Sequence, residues 1–296
     1  MQKLKLDNFV FEWGKRTYVM GILNITPDSF SGDGLAGDGR EQVIDQVLEQ
    51  ALKQARGFVE SGADILDVGG ESTRPGAREV SADEEMDRVI PVIARLAGEV
   101  EALISIDTYK AAVAERALDA GADLINDVWG LRADPDLAGL IADRKVPVVI
   151  MHNRSNPQNA RIKANLGGRY VGIEYQNLVE DVKQELLHSV QIARDAGIDR
   201  EKIILDPGIG FGKTVSQNLE LLNRLDEIRE LGYPVLLGSS RKSFIGYTLD
   251  LPLEDRLEGT AATVAVGITR GADIVRVHDV REMVRVARMT DALVRA

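Results

Sequence analysis

Ser61 Gly62 Ala63 Asp64 Ile65 Leu66 Asp67 Val68 ends one kind of element and begins another. Upstream of it Val43, Val47, Leu48, Ala51, Ala55 and Phe58 recur at helical spacing. Gly62 can supply the left-handed cap, and Ile65 to Val68 reads as a strand. The same ending returns at Gly121 Ala122 Asp123 and Gly271 Ala272 Asp273, with Gly197 Ile198 Asp199 as a looser copy. A repeated step of helix, tight turn and parallel strand builds a parallel sheet.

Strands are expected near Val19, Ile65, Leu103, Leu124, Val148, Ile203, Leu236 and Ile274, with helical patterns between them. Eight such units predict an α/β fold, a single (β/α)₈ TIM barrel spanning residues 18–296. A doubly wound open sheet is the alternative, but no Gly-rich dinucleotide loop follows the first strand. Residues 1–17, where Phe9, Phe11 and Trp13 alternate before Gly14 Lys15, read as an N-terminal β-hairpin turning at that Gly-Lys pair and plugging one end of the core. Ser81 and Glu84 predict a capping box for a helix with the apolar stripe Met86, Val89, Ile90, Ile93 and Leu96, bent at Pro91. Asn153 to Ile173 lacks periodicity and reads as a local elaboration or loop.

Composition narrows the chemistry. The 296 residues are 44% hydrophobic and carry a formal charge of −11, with no basic block to suit nucleic acid. No apolar run approaches a membrane span and no signal sequence is evident, so a soluble, cytoplasmic protein is expected. The absence of cysteine leaves oxygen and nitrogen groups as nucleophiles and ligands.

In such a barrel the functional face lies just after each strand. Asn24 ends the first, before the polar run Ile25 Thr26 Pro27 Asp28 Ser29 Phe30 Ser31; it can ligate a hard cation, meet an oxyanion or simply close a turn. Asp107, Asn126 and Asp206 form an acceptor-rich group suited to the NH-bearing edge of a flat heterocycle. Arg74, Arg276 and His278 form the opposite group, placed to neutralise a phosphate-type ligand. Alternation puts Arg276 and His278 on one side of the last strand, where two cations need an anionic partner. Lys242 and Ser243 stand at an expected helix start, fit for a second anion such as a carboxylate. Asp127 reads as a helix cap or a partner for a nearby base and His188 as a surface residue, while His152 is equally compatible with packing and with the pocket. Gly208 to Lys213 Thr214 has the wrong glycine spacing for a P-loop, which excludes a nucleotide triphosphatase.

Together these residues resemble the dihydropteroate synthase family over essentially the whole chain. The resemblance rests on Gly21 to Ser31, Gly69 Gly70 Glu71 Ser72 Thr73 Arg74 Pro75 Gly76, Ser105 Ile106 Asp107 Thr108, Asn126 Asp127, Met151 His152, Asp206 to Lys213, Ser240 Arg241 Lys242 Ser243, and Arg276 Val277 His278 Asp279 Val280. It implies joining 6-hydroxymethyl-7,8-dihydropterin diphosphate to 4-aminobenzoate with Mg²⁺ and release of diphosphate. By the same resemblance Asn24 holds the metal, and Asp107, Asn126, Asp206 and Lys242 the pterin. Thr73, Arg276 and His278 take the diphosphate end, and aminobenzoate lies near Arg74, Pro75, Phe211 and Ser243. Asp107, Asp206 and Lys242 are the implied catalytic residues, under mobile first and second loops, in a homodimer. The family carries Asp Gly Gly after Ser Phe Ser, whereas this chain has Gly32 Asp33 Gly34, so no role passes to Asp33. A pterin-dependent corrinoid methyltransferase would keep the pterin-edge acids without needing Arg276 and His278. A non-catalytic pterin-binding paralogue should have lost a charged strand end, and a purely structural barrel leaves so many charged ends unexplained.

Overall fold

In the computed structural model, residues 3–6, 9–25, 40–72, 78–163, 165–171 and 173–295 are described. The expectations for Thr26 to Gly39, including Asp33, and for Thr73, Arg74 and Pro75 lie outside them.

Eight parallel strands form the sheet: β3 (Tyr18–Asn24), β4 (Ile65–Gly69), β5 (Leu103–Asp107), β6 (Leu124–Asp127), β7 (Val148–Met151), β10 (Ile203–Asp206), β11 (Leu236–Leu237) and β12 (Ile274–Val277). The hydrogen-bonded order runs β10, β7, β6, β5, β4, β3, β12, β11, and a parallel bridge from Leu205 to Val235 brings the two ends together. The ring is the expected barrel. Helices cover its outer face, among them α1 (Arg40–Glu60), α2 (Ala82–Glu99), α3 (Ala111–Asp119), α4 (Leu137–Arg144) and α5 (Leu178–Asp195). After β10 come α6 (Val215–Asn223) and α7 (Leu225–Arg229), followed by α8 (Ser243–Leu249), α9 (Leu257–Thr269) and α10 (Val280–Val294).

Alternation along the strands sorts the core into two compartments. Outward residues such as Val19, Leu66, Ile104, Ile125 and Val275 pack beneath the helices. Met20, Ile65, Leu103, Leu124, Val149, Ile204, Leu236 and Ile274 fill the interior near the strand starts. Two residues further along the same strands, the inward positions become Asp67, Ser105, Asn126, Asp206 and Arg276. An apolar floor thus gives way to a polar cavity within one layer of side chains.

The floor is closed from below by β1 (Leu4–Leu6) and β2 (Phe9–Phe11), an antiparallel pair with Leu4 opposite Phe11. Phe11 stacks on Trp13 at 4.6 Å and meets Tyr18 edge-on at 4.7 Å. Both paired strands therefore precede Gly14 Lys15, and the hairpin does not turn there. Gly14, with φ +81°, instead redirects the chain into β3, and Lys15 N–H donates to Glu12 O at 3.0 Å.

The repeated Gly-Ala-Asp turns share one hydrogen-bond scheme. Gly62, Gly121 and Gly271 have φ of +100°, +109° and +95°. Each following aspartate then grips the strand next door twice. Asp64 N–H donates to Val19 O and its Oδ2 accepts from Val19 N–H, at 2.8 and 2.9 Å. Asp123 does the same with Ile104, both at 2.7 Å, and Asp273 with Val235, at 2.8 and 3.0 Å. The side chain satisfies a strand-start N–H that the sheet ladder leaves unpaired.

Two local expectations are modified. Ser81 Oγ accepts from Glu84 N–H at 3.2 Å, but the Glu84 carboxylate turns to Arg78 and Arg88, so half of the capping box forms. The helix runs on through Pro91. Within 153–173 lies an antiparallel pair, β8 (Ala160–Lys163) and β9 (Gly167–Tyr170), tied to α8 by Tyr247 Oη donating to Gly167 O at 3.1 Å. Tyr170 is the one buried residue of these strands, so no apolar alternation marks them.

Candidate active site

Arg276 occupies the centre of the polar layer. Its Nε donates to Asp67 Oδ2 at 2.5 Å and one terminal NH2 to Asp107 Oδ2 at 2.6 Å. Asn126 Nδ2 donates to the same Asp67 oxygen at 3.1 Å. Burial works against the Arg276 charge, but Asp67 and Asp107 more than offset it and raise its pKa. Burial also pushes the Asp107 carboxyl up to about 7, with Arg276 opposing and Asp67 reinforcing the shift. The expected division into acidic and basic flanks therefore does not hold at Arg276. A half-buried guanidinium at the base of a barrel mouth still needs counter-charge, and the acids across the barrel supply it.

Asp206 and Lys242 meet Arg276 on the other side. A β-carbon placed on Gly238 would stand 3.8 Å from Asp206 Oδ2, 3.9 Å from Lys242 Nζ and 4.0 Å from Arg276 Cβ. Gly238 therefore borders all three groups at ordinary van der Waals distance. Burial pushes the Lys242 ammonium down to about 8 against the pull of Asp206. The Asp206 carboxyl is raised by burial, with Lys242 opposing. Lys242 Nζ also donates to Ile209 O and lies 4.6 Å from the centre of the Phe211 ring.

Phe211 is held by the loop that follows β10. Lys213 is buried beneath it, donating to Gly208 O at 2.9 Å and Phe211 O at 3.0 Å, with His152 Nδ1 at 2.9 Å. Gly208, at φ +69°, has no room for a β-carbon, which would fall 1.8 Å from His152 O. Burial and the Lys213 ammonium push His152 down to about 3, so it is a packed neutral ring that shapes the loop from behind.

The rim completes the site. Ser240 Oγ accepts from the His278 backbone N–H at 3.1 Å and stands 3.1 Å from His278 Nδ1. Arg241 pairs with Asp279, tying the ends of β11 and β12 together. Lys242 is the N-cap of α8, and Ser243 begins that helix. Asn24 ends β3 in register with Gly69, which in turn pairs with Asp107. Lys110 lies 2.5 Å from both Glu71 and Glu85, and Arg88 donates to Gly70 O at 2.6 Å, anchoring the chain on the near side of 73–77. Asp127 accepts from the N–H groups of Trp129 and Leu131, so it caps the turn after β6 where a helix cap or a partner for a base was expected.

Among the described residues no group of three His, Cys, Asp or Glu side chains could cage a metal ion. Asn24, a neutral strand-end amide, could hold one position of a hard cation that keeps several waters and takes further oxygens from a phosphorylated substrate.

Sequence reasoning missed Asp67, Ser105 and the staple made by Lys213. Asp67 was legible in principle: it shares the inward parity of Ile65, so an acid there had to be buried and partnered.

Residues 20–278 match the pterin binding enzyme family. The chain is 52% identical over 279 residues to a dihydropteroate synthase of Bacillus subtilis, covering 94% of this chain and 89% of that one. It is 50% identical over 293 residues to one of Clostridium beijerinckii, covering 99% and 100%. A crystal structure of dihydropteroate synthase from Clostridium difficile, obtained in the presence of pteroic acid, superposes with a TM-score of 0.85 at 49% identity, covering 97% of this chain and 100% of that one. The chain belongs to the dihydropteroate synthase family of pterin-binding enzymes.

Proposed function

We propose that this transferase condenses 6-hydroxymethyl-7,8-dihydropterin diphosphate with 4-aminobenzoate, giving 7,8-dihydropteroate and diphosphate. The observation that carries the reading is the convergence of Asp107, Asn126, Asp206, Lys242 and Arg276 in one barrel cavity, in a chain of this family.

Asp107, Asn126, Asp206 and Lys242 hold the pterin ring, while Arg276, His278 and Thr73 hold the diphosphate. Diphosphate leaves first, because the methylene beside an electron-rich pterin can carry cationic character. Asp107 and Asp206 stabilise that cation by charge fixed in place before it develops, a kind of contribution worth about 10²–10³ in rate for a single well-placed group. Asn24 would hold the Mg²⁺ that the family implies, and that ion would supply charge neutralisation for the departing diphosphate. Arg74, Pro75, Phe211 and Ser243 position the aniline nitrogen, which is already neutral at pH 7 and requires no strong base. The first and second loops keep water from the cation.

Neither relative described above is a corrinoid methyltransferase or a non-catalytic paralogue. Purified protein given Mg²⁺ and both substrates should release one diphosphate per dihydropteroate formed. Turnover of a methyl donor without diphosphate release would support the methyltransferase instead.

The proposal extends to a cytoplasmic homodimer. Among the described residues no helix is long and apolar enough to cross a membrane. The packed pair α9 and α10 exposes Val266, Met289 and Leu293, a surface suited to a second copy.

A further inference from the structure

Asp67 is fully buried in the middle of β4, yet among the described residues its carboxylate accepts from side chains of the site. Asp64, Asp123, Asp127 and Asp273 each accept from backbone N–H groups. Asp67 Oδ2 accepts from Arg276 and Asn126, both side chains of the site, and its Oδ1 has no hydrogen-bond partner among the described residues. Ser105, its register neighbour on β5, has a buried Oγ in the same condition. A buried carboxylate so weakly satisfied is a poor way to stabilise a barrel.

We infer that Asp67 is a positioning residue for the condensation, retaining Arg276 by its Nε while the terminal NH2 of that arginine exchanges Asp107 for the substrate's diphosphate. This rests on the reading under Proposed function. Arg276 reaches its two acids through different nitrogens, so releasing one need not release the other. Asp107 pairs in register with Gly69, two residues beyond the Asp67–Ser105 pair and nearer the mouth. An anion entering from the mouth therefore meets the Asp107 end of the guanidinium first. The exchange frees Asp107 to face the pterin and never strands Arg276 without a counter-charge. Asp67 also orients Asn126: a carboxylate paired with a guanidinium only accepts, so the amide turns its NH2 inward and leaves its oxygen for a ring N–H.

The test is a double-mutant cycle. Pterin diphosphate is titrated with Mg²⁺ into wild type, Asp67→Asn, Arg276→Gln and the double variant, alongside hydroxymethylpterin lacking the diphosphate. Asp67→Asn should weaken pterin diphosphate binding by about tenfold or more in the wild-type background, but by less than about twofold when Arg276 is already replaced. The KM for 4-aminobenzoate should not change. Equal fold-losses in the two backgrounds, or a lowered melting temperature with unchanged affinity, would overturn the inference. Should Asp67→Asn fail to fold, Arg276→Lys serves, because one ammonium cannot replace the two-nitrogen bridge; it should bind as poorly as Arg276→Gln, and wild-type affinity would contradict the exchange. Failure of the underlying function would show separately, as wild type that neither binds nor turns over the diphosphate.

Discussion

Burial brings two side chains that face the cavity toward neutrality from opposite directions. Asp107 is pushed up to about 7 and Lys242 down to about 8. The proposed chemistry needs Asp107 ionised and Lys242 protonated. The kcat/KM for pterin diphosphate should therefore fall as pH drops below about 7, where Asp107 takes up its proton, and fall again above about 8, where Lys242 loses one. Asp107→Asn should be slow and lack the acid limb, and Lys242→Met should lack the alkaline limb. A wild-type profile flat from pH 6 to 9 would contradict the assignment. At this scale the strand-end residues were readable because each ends an apolar run. Asp67 escaped because it lies within such a run, and Lys213 because the glycines around it drew attention to phosphate binding when its ammonium in fact holds two carbonyls of its own loop.

Among the elements, the Gly-Ala-Asp turn was legible as punctuation but its aspartate was not, since pairing with the neighbouring strand exists only once the sheet has formed. Asp123→Ala leaves the buried Ile104 N–H without that partner and should cost about 1–3 kcal/mol. Urea unfolding would measure it, and kcat/KM at a permissive temperature should stay at the wild-type value. A variant with unchanged stability would show that the side-chain half of the grip contributes nothing. The β8–β9 pair was illegible for the opposite reason: strands that bury little carry no period-two signal. Its anchors, Leu166 and Tyr170, are single buried residues in a polar stretch.

For the molecule as a whole, the apolar floor and the polar mouth divide stability from function along the barrel axis. All eight strands could be counted from the chain because each is a buried run with a marked start. The position of the hairpin turn could not, since Phe9, Phe11 and Trp13 alternate identically whether the chain reverses before or after them. Phe11→Ala removes a buried ring from the floor and should cost about 3–5 kcal/mol while leaving kcat unchanged in the folded fraction. A melting curve and a turnover assay at low temperature would separate the two effects, and a matching loss of kcat would deny the division.

In the proposed reaction one cavity holds the ring by Asp107, Asn126, Asp206 and Lys242 and the diphosphate by Arg276 and His278. A crystal structure with pterin diphosphate tests it most directly. The ring should lie against those acids, with Arg276 still on Asp67 but moved from Asp107 to a phosphate oxygen. An intact Arg276–Asp107 pair, with the ligand bound elsewhere, would contradict it.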